Sequence, residues 1–221
     1  MTGNGSAATS ENGAFPLVIL IGAPGAGKTT VGTRLADRLG VDFTDTDAVV
    51  ESVAGKPVAD IFISDGEPEF RRLERDAVAA ALGEDGSNEG SRAVEGQGGN
   101  KASGRERQDP CQAGTPAAGV VGLGGGAVMD EQTRARLAGR AVVYLETGFG
   151  ELAKRVGIDR ARPLLIGTNP RAQLRSLLDL RLPVYQGLAW LTVSTDGRDP
   201  DEIAAEIASA VTSGRGPGDD R

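Results

Sequence analysis

The chain has 221 residues, 39% of them hydrophobic, a formal charge of -7, one cysteine (Cys111) and no histidine; this suits one α/β core with tails and argues against a general nucleic-acid binder, which needs a basic face. The lone thiol and the missing histidine exclude disulfides, thiol-histidine catalysis and Cys/His zinc sites, and fit a reducing cytoplasm. No apolar run approaches the roughly 18 residues of a membrane span, and residues 1–14 have neither a basic start nor an apolar core, so neither a membrane partner nor a signal peptide is expected.

Residues 1–14, rich in Gly, Ser, Asn and Thr, read as a disordered N-terminal tail, and 212–221 as its C-terminal counterpart, leaving one domain at 15–211. That domain opens on an apolar strand at 17–21. The strand runs into LIGAPGAGKTT, whose residues 22–29 fit G-x-x-x-x-G-K-[ST], with a helix following to 39 and stopping at Gly40. In such a loop, the backbone of Gly25, Ala26, Gly27, Lys28, Thr29 and Thr30 turns its amides onto a nucleotide phosphate. Lys28 reaches the outer phosphates, and the Thr29 hydroxyl is offered to Mg²⁺.

A second strand, 41–44, leads to Asp45, Thr46 and Asp47, two carboxylates expected in an extended step at a strand end. One suits the water shell of Mg²⁺, and the other suits a substrate hydroxyl awaiting attack, although Asp after a strand is also a common turn residue. Helices are expected within 49–82. In DGEPEFRRLERD, Arg71 and Glu74 stand three apart on one face, where an ion pair would hold the guanidinium as a planar fork for a carboxylate or vicinal hydroxyls; a solvated charged face is the plainer alternative. Residues 83–118 are nearly devoid of apolar side chains apart from Val94, and read as a disordered insertion rather than a lid. A third strand at 120–123 ends in Gly124, Gly125 and Gly126, a run that admits close backbone approach to a ligand. A helix capped by Asp130, a strand at 141–145, helices after Thr147 and Pro170, a strand at 190–193 and a helix opened by Asp199 and Pro200 complete the chain. Five strands alternating with helices predict an α/β fold: three αβα layers around a five-stranded parallel sheet, with ligands at the carboxyl ends of the strands.

The ordered set GAPGAGKTTVGTRLADRLG, DTD, ADIFISDGEPEFRRLE, LGGGAV, VVYLE, ARPLL and RLPVY resembles the shikimate kinases over about 160 residues. That resemblance implies the nucleoside monophosphate kinase fold with a mobile lid, here 155–170. It implies transfer of the γ-phosphoryl group of ATP to the 3-hydroxyl of shikimate with Mg²⁺, on the route to chorismate and aromatic amino acids. Carried over by position, Thr29 and, through water, Asp45 would serve the metal, and Asp47 would bind the reacting hydroxyl. Arg71 and Arg181 would take the shikimate carboxylate, with Glu74 steadying Arg71. Pro24 and the glycines 124–126 would line the acceptor pocket, Arg162 would fold over the γ-phosphate, and Arg155 and Arg198 would lie beside the adenine. The catalytic set is then Lys28, Asp47 and Arg162, acting in a cytoplasmic enzyme expected to be a monomer.

Two other readings stay open on the residues alone. One is another P-loop kinase of small molecules, acting on gluconate or a nucleoside monophosphate, although no base-binding slot for a nucleotide acceptor is visible. The other is a nucleotide-binding module without catalysis, whose insertion recruits a partner.

Overall fold

Strand β1 (Val18–Ile21) is apolar at every position and buried throughout, so it must be covered on both sides. The alternation of its side chains decides how. Val18 and Leu20 join one core, with Val31, Leu35, Ile203 and Ile207; Ile19 and Ile21 join another, with Val78, Val121, Leu137 and Tyr185. In the computed structural model, which describes residues 17–84, 119–156 and 169–213, β1 is the middle of a five-stranded parallel sheet. The others are β2 (Phe43–Asp45), β3 (Val120–Gly122), β4 (Ala141–Glu146) and β5 (Leu191–Ser194), in the order β2-β3-β1-β4-β5. The chain leaves β1 toward one edge and later crosses to the other, so a crevice opens at the carboxyl ends beside the central strand.

The described helices are α1 (Lys28–Leu39), α2 (Thr46–Ala54), α3 (Val58–Ser64), α4 (Gly66–Ala81), α5 (Glu131–Leu137), α6 (Phe149–Arg155), α7 (Pro170–Leu188) and α8 (Pro200–Thr212). Helices α1 and α8 cover the first core, and α4, α5 and the end of α7 cover the second, which gives the expected three layers. Each fully buried aliphatic side chain, such as Leu35, is worth about 1.5–3 kcal/mol of transfer free energy. A third, smaller core of Val50, Ile61, Phe70, Leu73 and Ala77 binds α2, α3 and α4 into a separate lobe. The breaks between these helices fall at Gly55, Pro57 and Gly66.

Several boundaries differ from the sequence reading. Strand β2 begins two residues later than expected and ends at Asp45, and Thr46 and Asp47 are not an extended step but the first turn of α2. Asp45 caps that helix, its Oδ1 accepting the Asp47 amide at 3.0 Å, so the chain turns helical where a second strand residue was expected. Strand β3 closes at Gly122, ahead of the glycine triplet. The expected insertion starts too early: Glu84 closes onto the Ala79 carbonyl and pairs with Arg136 at 2.8 Å and Arg140 at 3.0 Å. Helix α8 runs through Thr212, assigned above to the tail. Cys111, Val94 and Arg162, with most of the expected insertion, lid and tails, lie outside the described residues.

Candidate active site

The loop after β1 is shaped by its glycines. Gly25 and Gly27 have φ of 84° and 95°, which side-chain-bearing residues adopt only with strain, and Gly27 stands at the N-cap of the 12-residue α1 with no side chain filling that end. The first amides of α1 are therefore left for an anion. Lys28 folds back over the loop, its Nζ donating to the carbonyls of Gly22 at 2.9 Å and Ala23 at 3.1 Å. Burial holds its pKa below the ordinary lysine value, against the pull of Asp47 and Asp45. The Thr29 hydroxyl donates to Asp45 Oδ2 at 2.7 Å, which brings two hard oxygens together at the mouth of the loop. Among the described residues no group of three or more Asp, Glu, His or Cys side chains converges. This donor set thus suits a hard divalent cation that draws most of its ligands from phosphates and water.

Around this loop opens a cleft of about 700 Å³, with Asp45 and Asp47 on one side and Arg155, Thr195, Arg198, Pro200 and Ile203 on the other. Arg155 donates to the Thr195 carbonyl at 3.2 Å, and the buried Thr195 hydroxyl meets that of Thr147 at 2.7 Å. Arg198 is held by Glu206 at 2.7 Å. The two arginines expected beside a base thus reach the cleft from the end of α6 and from the loop between β5 and α8.

Past Asp47 lies a second set of groups, built around the glycine triplet. The Gly124 amide donates to the Thr46 hydroxyl at 2.9 Å, and a side chain at Gly124 would strike the Asp47 carboxylate and crowd Glu74. A Cβ at Gly125 would lie 2.8 Å from Pro24 Cδ, and one at Gly126 would lie 2.9 Å from Arg71 Nη1 and 3.4 Å from Arg181 Nη2. Three consecutive residues thus touch the carboxylate, the phosphate loop and both guanidinia. Arg71 Nη1 donates to Glu74 Oε2 at 2.6 Å, with Glu74 only 3% exposed, and Glu67 braces the same guanidinium from outside at 3.3 Å. Burial raises the Glu74 pKa, with Asp47 adding to the rise, and Arg71 opposing it. Arg181 donates to the Gly125 carbonyl at 3.0 Å and pairs with no carboxylate among the described residues.

Asp47 sits between the two sets. Its carboxylate accepts no hydrogen bond from a described residue; burial foremost, then the Asp45 charge, holds its pKa above the ordinary aspartate range, while Lys28 pulls the other way. A carboxylate in this state is a better proton acceptor than one in water, and it lies between an anion cradle and a cationic fork.

Every sequence-predicted site residue among the described ones therefore gathers at this one crevice. The sequence reading missed Thr46 and Tyr185. Tyr185 donates its hydroxyl to the Gly125 carbonyl at 2.6 Å, and its i,i+4 spacing from Arg181 was the available signal.

Comparison with known proteins gives a consistent picture. The family model described as shikimate kinase matches residues 24–88 and 105–212. The chain is 54% identical to a shikimate kinase of Thermobifida fusca over 196 residues, covering 89% of this chain and 95% of the relative. It is 46% identical to one of Saccharopolyspora erythraea over 203 residues, 92% of this chain and 98% of the relative. Among solved structures, the shikimate kinase from Acinetobacter baumannii in complex with shikimate aligns with a TM-score of 0.69 at 31% identity, covering 91% of this chain and 95% of that one.

Proposed function

The chain belongs to the shikimate kinase family, and from that premise we propose how its own residues divide the work. It transfers the γ-phosphoryl group of ATP to the 3-hydroxyl of shikimate, giving shikimate 3-phosphate and ADP, a step toward chorismate and the aromatic amino acids.

The observation that carries the assignment of roles is the placing of Asp47 between the Lys28 loop and the Arg71–Arg181 fork around residues 124–126. ATP lays its phosphates on the amides of residues 25–30, and Lys28 exchanges its two carbonyl partners for phosphate oxygens. Thr29, with Asp45 through water, would hold Mg²⁺, and that ion supplies charge neutralisation and alignment of the phosphates. Shikimate enters with its carboxylate on Arg71 and Arg181, its ring against Pro24 and the glycines, and its 3-hydroxyl on Asp47. Glu74 keeps Arg71 in the fork geometry that a carboxylate matches. Asp47 orients the hydroxyl and takes its proton as the oxygen attacks. Arg155 and Arg198 hold the adenine.

Arg162, in the ARPLL segment that carried the resemblance, supplies a further cation to the γ-phosphate from a lid at 155–170; a phosphoryl group in flight spreads charge over its equatorial oxygens, which positioned cations stabilise. The insertion is an accessory segment outside this chemistry. We take the enzyme to work as a monomer in the cytoplasm; among the described residues no helix is long and apolar enough to cross a membrane. The deciding experiment measures ADP release with shikimate, gluconate and AMP as acceptors. Release with shikimate alone is expected, and release that favours either other acceptor would overturn the assignment.

A further inference from the structure

Helix α7 carries two residues, Arg181 and Tyr185, that end on one atom. The Gly125 carbonyl accepts Arg181 Nη1 at 3.0 Å and the Tyr185 hydroxyl at 2.6 Å, which fills both lone pairs of that oxygen. Tyr185 is 1% exposed, and its ring lies stacked on Tyr144 of β4 with centroids 5.3 Å apart, so it has no freedom to follow a moving loop. Burial raises the pKa of its hydroxyl, with the adjacent Arg181 guanidinium pulling the other way, and the proton stays in place for donation. Arg181 is held differently. With no acidic partner among the described residues, its long side chain finds its anchor on this carbonyl. The backbone on either side is tied elsewhere, the Gly124 amide to Thr46 and the Gly124 and Gly126 carbonyls to the Ala127 and Met129 amides, while the Gly125 carbonyl between them is met by Tyr185 and Arg181.

We infer that Tyr185 is a positioning residue for the acceptor: it fixes the Gly125 carbonyl against the rigid β4 face, and that carbonyl sets the guanidinium of Arg181 where the carboxylate of shikimate must land. The inference rests on the proposed role of Arg181 as a carboxylate ligand. Pro183 stands between the two residues inside α7, where its missing amide loosens the helix and makes an external anchor for Arg181 more necessary.

The test uses the full chain and Tyr185→Phe, which keeps the ring and its stack, with Tyr144→Phe as control. Tyr185→Phe should raise KM for shikimate about tenfold, the usual consequence of losing one well-made hydrogen bond, with kcat and KM for ATP changed less than about twofold. Tyr144→Phe should leave all three unchanged. With shikimate methyl ester as acceptor, where Arg181 has no carboxylate to hold, the penalty of Tyr185→Phe should vanish; in an Arg181→Ala background, it should vanish for shikimate too. An unchanged KM for shikimate in Tyr185→Phe, or an equal penalty on acid and ester, overturns the inference while leaving the role of Arg181 intact. If Arg181→Ala itself leaves KM for shikimate unchanged, the failure lies in the proposed acceptor site instead.

Discussion

The hydroxyl of Thr46 accepts the amide of Gly124 at 2.9 Å, joining two residues 78 positions apart in the chain. Thr46 is fully buried between the two carboxylates, so this one bond sets the distance from the first turn of α2 to the glycine turn behind β3. Thr46→Val keeps the shape and removes the acceptor. An unpaired buried amide costs about 1–3 kcal/mol, which for a domain of this size lowers Tm by roughly 2–12 °C. Thr46→Ser should recover most of the loss. Calorimetric scans of the three proteins check this, and a valine variant as stable as wild type would show that the bond contributes nothing.

Asp47 fixes the pH response. Its pKa is raised, first by burial and then by Asp45, so the acid limb of kcat/KM should lie above the ordinary aspartate value of about 3.9. Asp47→Asn should remove that limb and lower kcat by about 10²–10⁴, with the Kd for ATP nearly unchanged. Stability runs the other way. A raised carboxylate binds its proton more tightly in the folded state, so its contribution is complete below the unfolded pKa and is lost as pH rises through the folded one. The asparagine variant should therefore match or exceed wild-type Tm at pH 7. An equal fall in kcat and ATP affinity would remove Asp47 from its role.

Loss of Arg71 should act on binding and on the fold together. Arg71→Ala is expected to raise KM for shikimate by ten- to a hundredfold, equivalent to about 1.4–2.7 kcal/mol. It also strips the buried Glu74 of its cation, so that the already raised pKa of Glu74 climbs further and the variant loses stability as pH rises toward neutrality. Arg71→Lys retains charge without the planar fork and should recover stability better than KM. Steady-state kinetics beside pH-dependent melting separates the two effects, and an unaltered KM for shikimate in the alanine variant would remove Arg71 from the acceptor pocket.

Glu84 marks where the insertion can be cut. Removing residues 85–112 should leave kcat/KM within about twofold of wild type, because that segment offers almost nothing apolar with which to close on the site. Extending the cut to Glu84 releases Arg136 and Arg140 together and should lower stability by about 1 kcal/mol or less, the usual scale for pairs this exposed. A large loss of turnover in the shorter deletion would make the insertion a working part.

The order of strands and helices was readable because parallel strands buried on both faces are continuous apolar runs, and the phosphate loop is a local backbone pattern lying between Ile21 and Thr30. Lys28, Asp47 and Arg71 stood out in their own patterns and Arg181 only through the family resemblance, and the fold brings the four to one crevice. The conformation of Thr46 and Asp47 was not, since Asp45 serves equally at a strand end and at a helix N-cap, and only the Asp47 amide pointing at it decides between the two. Thr46 and Tyr185 escaped because their partners, Gly124 and Gly125, are backbone atoms 78 and 60 residues away; the i,i+4 spacing of Tyr185 from Arg181 marks a shared helix face but not the carbonyl that both meet. Glu84 was hidden by composition, since a short charged residue at the rim of a polar tract looks like part of it.

The triplet 124–126 has a further consequence for how this sequence can drift. Its members are small for unrelated reasons: one abuts Asp47 and Glu74, the next Pro24, the last Arg71 and Arg181. A methyl group at the first would press on the Asp47 carboxylate, at the second on Pro24, and at the third on the Arg71 and Arg181 guanidinia. No single compensating change elsewhere relieves all three, so each glycine is constrained independently. A lineage that loses one must repair a different part of the enzyme each time.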